Sequence, residues 1–275
     1  MRGRTSRRPA TSSASATRSD RRGLGSIGRG RREAVSPFVE HRSVPRPAAL
    51  VFRTLSAAAV VALVLGGCAS TPPAGQQGWH AVPLPGKTPT RYAWTQKDGR
   101  AAVAAVSERS ASMWRRRVEL DPSLLGAVSF SWWVEDLIAE ASVADADRED
   151  APARILFGFG GDTARLPPRT RMMFDLAQAL TGEAPPYATL MYVWDPVAPV
   201  GTVIVNPRID RIRKIVVDSG PAQLRRWRDH HRDLAADFRL AFGEDPGPLV
   251  SIAVMTDSDN TRSQARTWYG PVTLH

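Results

Sequence analysis

Residues 90–107 read Thr-Arg-Tyr-Ala-Trp-Thr-Gln-Lys-Asp-Gly-Arg-Ala-Ala-Val-Ala-Ala-Val-Ser. Two runs that suit a pleated surface, Thr90–Gln96 and Arg100–Ser107, flank Lys97-Asp98-Gly99. A tight turn between twisted strands needs positive φ, which Asp and Gly tolerate, so the segment predicts a β-hairpin. The same grammar recurs outward from it. Short runs rich in Val, Ile and aromatic residues, bounded by Gly, Pro or Asp, predict strands at Met113–Leu120, Val128–Val134, Arg154–Phe159, Tyr187–Trp194, Thr202–Val205, Ile209–Val217, Leu249–Met255 and Thr267–Leu274. Two helices are predicted among them. One covers about residues 171–181, with Met172, Met173, Leu176, Ala177 and Leu180 on its apolar face. The other covers about 221–242, where Leu224, Trp227, Leu234, Phe238 and Phe242 repeat at helical spacing and Gly243 is a natural stop. Many strands without βαβ alternation predict a mainly β fold. The expectation is a jelly-roll-like antiparallel β-sandwich with two accessory helices, filling residues 79–275 as a single domain.

The formal charge of +10 is confined to one end: residues 1–53 hold 13 Arg against Asp20, Glu33 and Glu40, and the remainder balances 24 basic against 24 acidic residues. A nucleic-acid-binding domain carries its positive charge on the folded face that meets phosphate. The balanced remainder argues against a nucleic-acid partner. The single cysteine, Cys68, excludes a disulfide scaffold and a cysteine-based zinc site.

Residues 1–50 are Arg-, Ser- and Pro-rich without an apolar period, the composition of a disordered extension. Residues 51–67 have the form of a secretory signal: Arg53, then the apolar run Leu55–Leu65, then Gly66-Gly67 before Cys68. The 14 residues from Thr54 to Gly67 fall short of the roughly 20 that a membrane-spanning helix needs. Leu65-Gly66-Gly67-Cys68 resembles the bacterial lipobox, in which the thiol accepts diacylglycerol and becomes the new N-terminus. Residues 68–78 then form a Pro/Gly/Gln linker. The expectation is an exported lipoprotein anchored through Cys68 in the cell envelope. Ala69, rather than Asp, after the cysteine points to the outer membrane, facing the periplasm. The extension is either a translated tail or lies upstream of the true start. Val51 or Val44, read as an initiator, would leave a signal of ordinary length, and this second reading is preferred.

Several segments, taken in order, resemble the domain-of-unknown-function 3047 family of exported bacterial proteins. They are Ser131-Trp132-Trp133-Val134, Glu149 to Ile155, Ala188 to Trp194, and Ala253 to Thr261 with Trp268-Tyr269-Gly270. The resemblance runs from Trp79 to His275 and departs at Pro271, where an acidic residue would suit the family pattern better. It implies an envelope location and a jelly-roll-like sandwich, and brings no catalytic residues with it. The closing aromatic strand is also similar in style to that of carbohydrate-binding sandwiches.

Candidate chemistry is sparse. Asp257, Asp259, Asn260 and Thr261 follow a strand and carry oxygen side chains that suit calcium, a ligand, or a turn bonded to its own backbone. Calcium, with Asp257 and Asp259 as ligands, is the one cofactor entertained. Asp147 and Asp150 belong to an acidic loop that suits ligand contacts or a solvated charge run. Trp132, Trp194 and Trp268 are candidate stacking aromatics for a sugar. Glu135 and Asp136, with Asp257 and Asp259, are the carboxylates a hydrolase would draw on. His230 and His231 would diverge on a helix, and Arg225, Arg226, Arg228 and Arg232 would lie on its basic side. Phosphate-binding, zinc-protease, dinucleotide and serine-hydrolase motifs are missing from the sequence. The expected function is a non-catalytic module for a glycan or cell-wall polymer, with an envelope polysaccharide hydrolase and a structural interaction lipoprotein as alternatives.

Overall fold

The computed structural model describes residues 74–275. Cys68, the signal segment and the N-terminal extension lie outside the described residues. In chain order the strands are β1 (Trp79–Pro83), β2 (Arg91–Lys97), β3 (Arg100–Glu108), β4 (Ser112–Leu120), β5 (Ala127–Val134) and β6 (Ala151–Phe159). Helix α1 (Pro168–Thr181) precedes β7 (Ala188–Asp195), β8 (Val203–Val205), β9 (Ile212–Ser219) and β10 (Trp227–Asp233). Helix α2 (Leu234–Phe242) leads to β11 (Leu249–Asp257), β12 (Gln264–Tyr269) and β13 (Thr273–Leu274). They build a β-sandwich: one sheet ordered β1-β4-β11-β6-β7-β9-β8, the other β10-β5-β12-β3-β2 with β13 beside β5.

The hairpin at Asp98-Gly99 forms as expected, with Lys97 opposite Arg100 and positive φ at Asp98 (51°) and Gly99 (78°). Inward residues of both sheets make the main core: Phe130 and Trp132 of β5, Ile155 and Phe157 of β6, Tyr192 and Trp194 of β7, Ile252 and Val254 of β11. The intervening residues of the larger sheet are apolar too. Leu156, Met191, Val193, Ala253 and Met255 form a second cluster on its outer face. Every residue of β6 is buried, so this strand is covered on both sides.

Four expectations need correction. The segment 221–242 is not one helix. Residues 227–233 are strand β10 at the sheet edge, and only Leu234–Phe242 is helical, capped by Asp233, whose side chain accepts from the Ala236 amide. The misleading period arose because β10 turns charge inward. Arg228 and Arg232 meet Asp218 and Asp237, so its alternation is not one of apolar against polar. Helix α1 buries only one flank of the face expected, where Met173 and Ala177 are half-buried beside Phe174. Thr170 and Phe174 are buried, while Met172, Leu176 and Leu180 are 62%, 52% and 63% exposed. The sheets are not wholly antiparallel, because the β8–β9 hairpin sends β9 parallel to β7. The closing strand 267–274 is split: Pro271 has no amide to donate, and a Cβ on Gly270 would sit 2.1 Å from the Ser131 hydroxyl.

A candidate binding groove on the outer face of the larger sheet

Outward side chains of β4, β6, β7 and β11 floor a groove of about 430 Å³. Met113, Leu156, Met191, Ala253 and Met255 make the floor, and Leu84 and Pro185-Pro186 stand as walls. Thioether side chains are flexible and polarisable, so such a floor can follow ligands of more than one outline. Gly158 is required where it stands. A Cβ there would lie 2.4 Å from the Ser251 hydroxyl oxygen and 2.8 Å from Pro186.

One end of the groove is polar and held by a buried ionic cluster. Arg154 of β6 donates to both oxygens of Asp257 at the end of β11, Nε to Oδ1 at 2.9 Å and Nη2 to Oδ2 at 3.0 Å. The Ala151 amide donates to the same carboxylate at 3.1 Å. Burial pushes the Asp257 carboxyl up to about 6, against the pull of Arg154. Burial also works against the Arg154 charge, but Asp257 and Glu149 outweigh it and hold the guanidinium above its ordinary value. Beside them lies Lys214, with no exposed surface, its ammonium 2.7 Å from Glu149 and 2.5 Å from the Val143 carbonyl. Burial, then the nearby Arg154, brings it down to about 8.

Asp150 is buried and fixes the loop after β11. Its oxygens accept from the Asn260 amide at 3.1 Å, the Thr261 amide at 2.7 Å and the Thr261 hydroxyl at 2.6 Å. Asp259 pairs with Lys87, and the Asn260 side chain donates to the Ala146 carbonyl at 3.2 Å. Asn206 donates to both oxygens of Glu149 at 2.9 and 3.1 Å. Asn206, Asp259 and Asn260 are therefore set in position at the groove end, and the more exposed Lys87 and Arg208 reach over it.

The sequence candidates divide on this geometry. Asp257, Asp259 and Asn260 line the groove, and Thr261 is turned back onto Asp150. Asp150, Asp257 and Asp259 bring one oxygen each within 4.8 Å of one another, but the set does not suit calcium. Calcium takes six to eight oxygen ligands. Here Asp257 is committed to Arg154, Asp259 to Lys87 and Asp150 to backbone amides. Asp147, with a side chain 93% exposed, faces solvent 3.6 Å from Arg208, away from its buried neighbours in the acidic run.

The stacking platform expected from Trp132 and Trp194 is not formed. Both are wholly buried core residues, donating to Asp218 at 2.8 Å and to the Gly220 carbonyl at 3.1 Å. Trp268 packs edge-on against Trp133 at 5.0 Å, with Lys97 over the Trp133 ring. Glu135 and Asp136 line a different surface from Asp257 and Asp259, and pair with Arg266 and Arg225. On strand β10, His230 turns inward to Asp218 at 2.9 Å while His231 meets the Ser129 hydroxyl at 3.0 Å. Arg225, Arg226, Arg228 and Arg232 make no helix face, since Arg225 and Arg226 precede the strand and Arg228 and Arg232 pair inward. The methionine floor and the Arg154–Lys214 cluster escaped sequence reasoning. Their signal was apolar residues at successive positions of β6, β7 and β11, where a sandwich strand facing solvent alternates.

Fold and site together define a β-sandwich with a ligand-sized groove across the outer face of one sheet. The chain belongs to the family described as protein of unknown function (DUF3047), which it matches over residues 77–273. No curated protein matches the sequence. Among solved structures it is similar to the family 11 carbohydrate-binding module from Clostridium thermocellum, in complex with a β-1,3-1,4-mixed-linked tetrasaccharide. That match has 8% identity, covers 72% of this chain and 88% of that one, and has a TM-score of 0.36. It is also similar to the xyloglucanase domain of NopAA, a type three effector from Sinorhizobium fredii, in complex with cellobiose, at 6% identity, 72% and 97% coverage and a TM-score of 0.35. A third is the cellulose induced protein Cip1, at 9% identity, 73% and 92% coverage and a TM-score of 0.31. Likenesses this distant do not bear on the ligand or on mechanism.

Proposed function

We propose that the chain is an exported lipoprotein, anchored through Cys68 in the outer membrane facing the periplasm, whose sandwich binds a glycan or cell-wall polymer in the groove without turning it over. The observation that carries the binding reading is the pairing of an apolar floor with fixed polar groups at one end. A pyranose has C–H faces and a rim of hydroxyls. Met113, Met191 and Met255 suit the faces, while Lys87, Asn206, Asp259 and Asn260 suit the rim. Asn206 and Asn260 are already held by Glu149 and the Ala146 carbonyl, so little of their side-chain entropy is lost on binding.

The non-catalytic reading rests on how the carboxylates are engaged. Glycosidase chemistry uses one carboxyl as an acid and a second as base or nucleophile, both free to exchange protons with substrate. Asp257 is locked to Arg154 by two hydrogen bonds, Asp259 faces the ammonium of Lys87, and Glu135 and Asp136 lie on another surface, so the groove presents no pair of free carboxyls. An array of cell-wall and envelope glycans probed with the full chain tests the reading. Retention of at least one polymer class, with no shortening of the bound chains, is expected. Release of shorter products would favour the hydrolase.

A further inference from the structure

A second cavity, of about 560 Å³, lies on the other side of the larger sheet, at the edge where β1 and β4 meet β2. Trp79, Trp94 and Trp114, one from each of these strands, line it. Trp94 stands edge-on to Trp114 at 6.4 Å and is 38% exposed, while Tyr92 stacks on Trp114 at 5.8 Å. Val103 and Val254 extend the wall as aliphatic surface. The volume is in the range of small-molecule pockets, roughly 300–1,000 Å³.

The one cation in this lining is Arg116. Its guanidinium lies 5.6 Å from the Trp79 ring, and it makes no salt bridge with any described residue. Its neighbours on β4 differ: Arg115 and Arg117 point to the opposite face and share Glu183 at 2.7 and 2.9 Å. The Nε atoms of Arg115 and Arg116 are both buried without a hydrogen-bond partner, as is the Trp114 Nε1, but of the two arginines only Arg116 also lacks an acidic partner among the described residues. A half-buried charge beside aromatic and aliphatic surface is costly unless an anion compensates it. Gln76, Thr95 and Thr273 add neutral polar groups to the lining, but the one charge to be matched is that of Arg116, and a long apolar body with one acidic head meets both it and the aromatic wall.

We propose that this cavity binds a single-chain amphiphile with a carboxylate head, its aliphatic tail along Trp79, Trp94 and Trp114 and its carboxylate paired with Arg116. The site is independent of the glycan groove, since alternate residues of β4 face the two cavities: Trp114 and Arg116 one, Met113 and Arg115 the other.

The test is calorimetric titration of the full chain, with Cys68→Ser so that no acyl group of its own competes. The probes are dodecanoate and dodecanol below their aggregation limits, and lysophosphatidylglycerol. Dodecanoate is expected to bind, and Arg116→Gln to weaken it at least tenfold while leaving dodecanol affinity unchanged. Trp94→Ala, at an exposed edge position, should weaken dodecanoate and dodecanol together. Failure of dodecanoate to bind the parent chain, or equal dodecanoate affinity in the parent and both variants, would overturn the proposal. So would binding of lysophosphatidylglycerol alone, which would replace the carboxylate with a phosphate headgroup. Glycan binding in the outer groove should survive both substitutions, so loss of one activity is separable from loss of the other.

Discussion

Replacing Asp257 with alanine would strand the Arg154 guanidinium where water cannot reach it. The two side chains are 6% and 3% exposed. Asp257 holds Arg154 through two N–H···O bonds at 2.9 and 3.0 Å and accepts the Ala151 amide at 3.1 Å. An exposed ion pair of this kind would contribute about 0–1 kcal/mol. Breaking a buried one by removing a single partner costs about 3–5 kcal/mol, because the other charge is left uncompensated. The orphaned Ala151 amide adds about 1 kcal/mol. Glu149, 3.9 Å from Arg154, takes over part of the pairing, so a loss of about 3 kcal/mol is expected. In a domain of this size each kcal/mol moves Tm by about 2–4 °C, which gives a fall of roughly 6–12 °C. The partner is Arg154 rather than a metal, so the fall should be equal in calcium and in chelator. Scanning calorimetry in both buffers measures it. A loss below about 1 kcal/mol, or one seen only with calcium, would show that Arg154 does not depend on this carboxylate. Arg154→Met combined with Asp257→Leu should recover most of the stability, as apolar replacements of whole buried pairs do.

Lys214 gives a pH-dependent counterpart. Its folded pKa of about 8 lies below the ordinary 10.5, so between these values the unfolded chain holds a proton that the folded chain has lost, and stability from this group rises with pH. Relative to Lys214→Met, the parent chain should gain on the order of 3 kcal/mol from pH 7 to pH 10.5 in urea unfolding; a flat difference would show that Lys214 is not desolvated as described. Cys68→Ser should abolish incorporation of labelled lipid and release the chain from the membrane fraction; unchanged labelling would place the anchor elsewhere.

The sandwich was legible where strands obey one rule at a time. Asp98-Gly99 fixed a hairpin because the turn's backbone admits few residues, and the aromatic run of β5 announced a strand. Strand β10 was not legible. Its inward Arg228, His230 and Arg232 are satisfied by Asp218 and Asp237, which lie on other elements, and no local pattern reveals such partners. The stripe on α1 misled in part, since Phe174 anchors the helix with Met173 and Ala177 half-buried beside it, while Met172, Leu176 and Leu180 face outward. At the site, the Asp257–Asn260 loop was found because consecutive oxygen side chains are conspicuous. What they do was hidden, because their partners Arg154 and Lys87 are about 100 and 170 residues away in the chain. The tryptophans were chosen by residue type, and type does not separate the buried Trp132 and Trp194 from the cavity-lining Trp79, Trp94 and Trp114.

If the methionine-floored groove receives the glycan, substitutions in its floor and at its polar end must weaken binding. Met191→Arg places a charge on the floor, and Asn260→Ala removes a fixed polar group at its end. Calorimetric titration of the parent chain and both variants with the polymer retained on the array measures the effect directly. Met191→Arg is expected to lose measurable binding, and Asn260→Ala to bind about five- to tenfold more weakly, the worth of one hydrogen bond. Equal affinity in the parent and both folded variants would contradict binding in this groove.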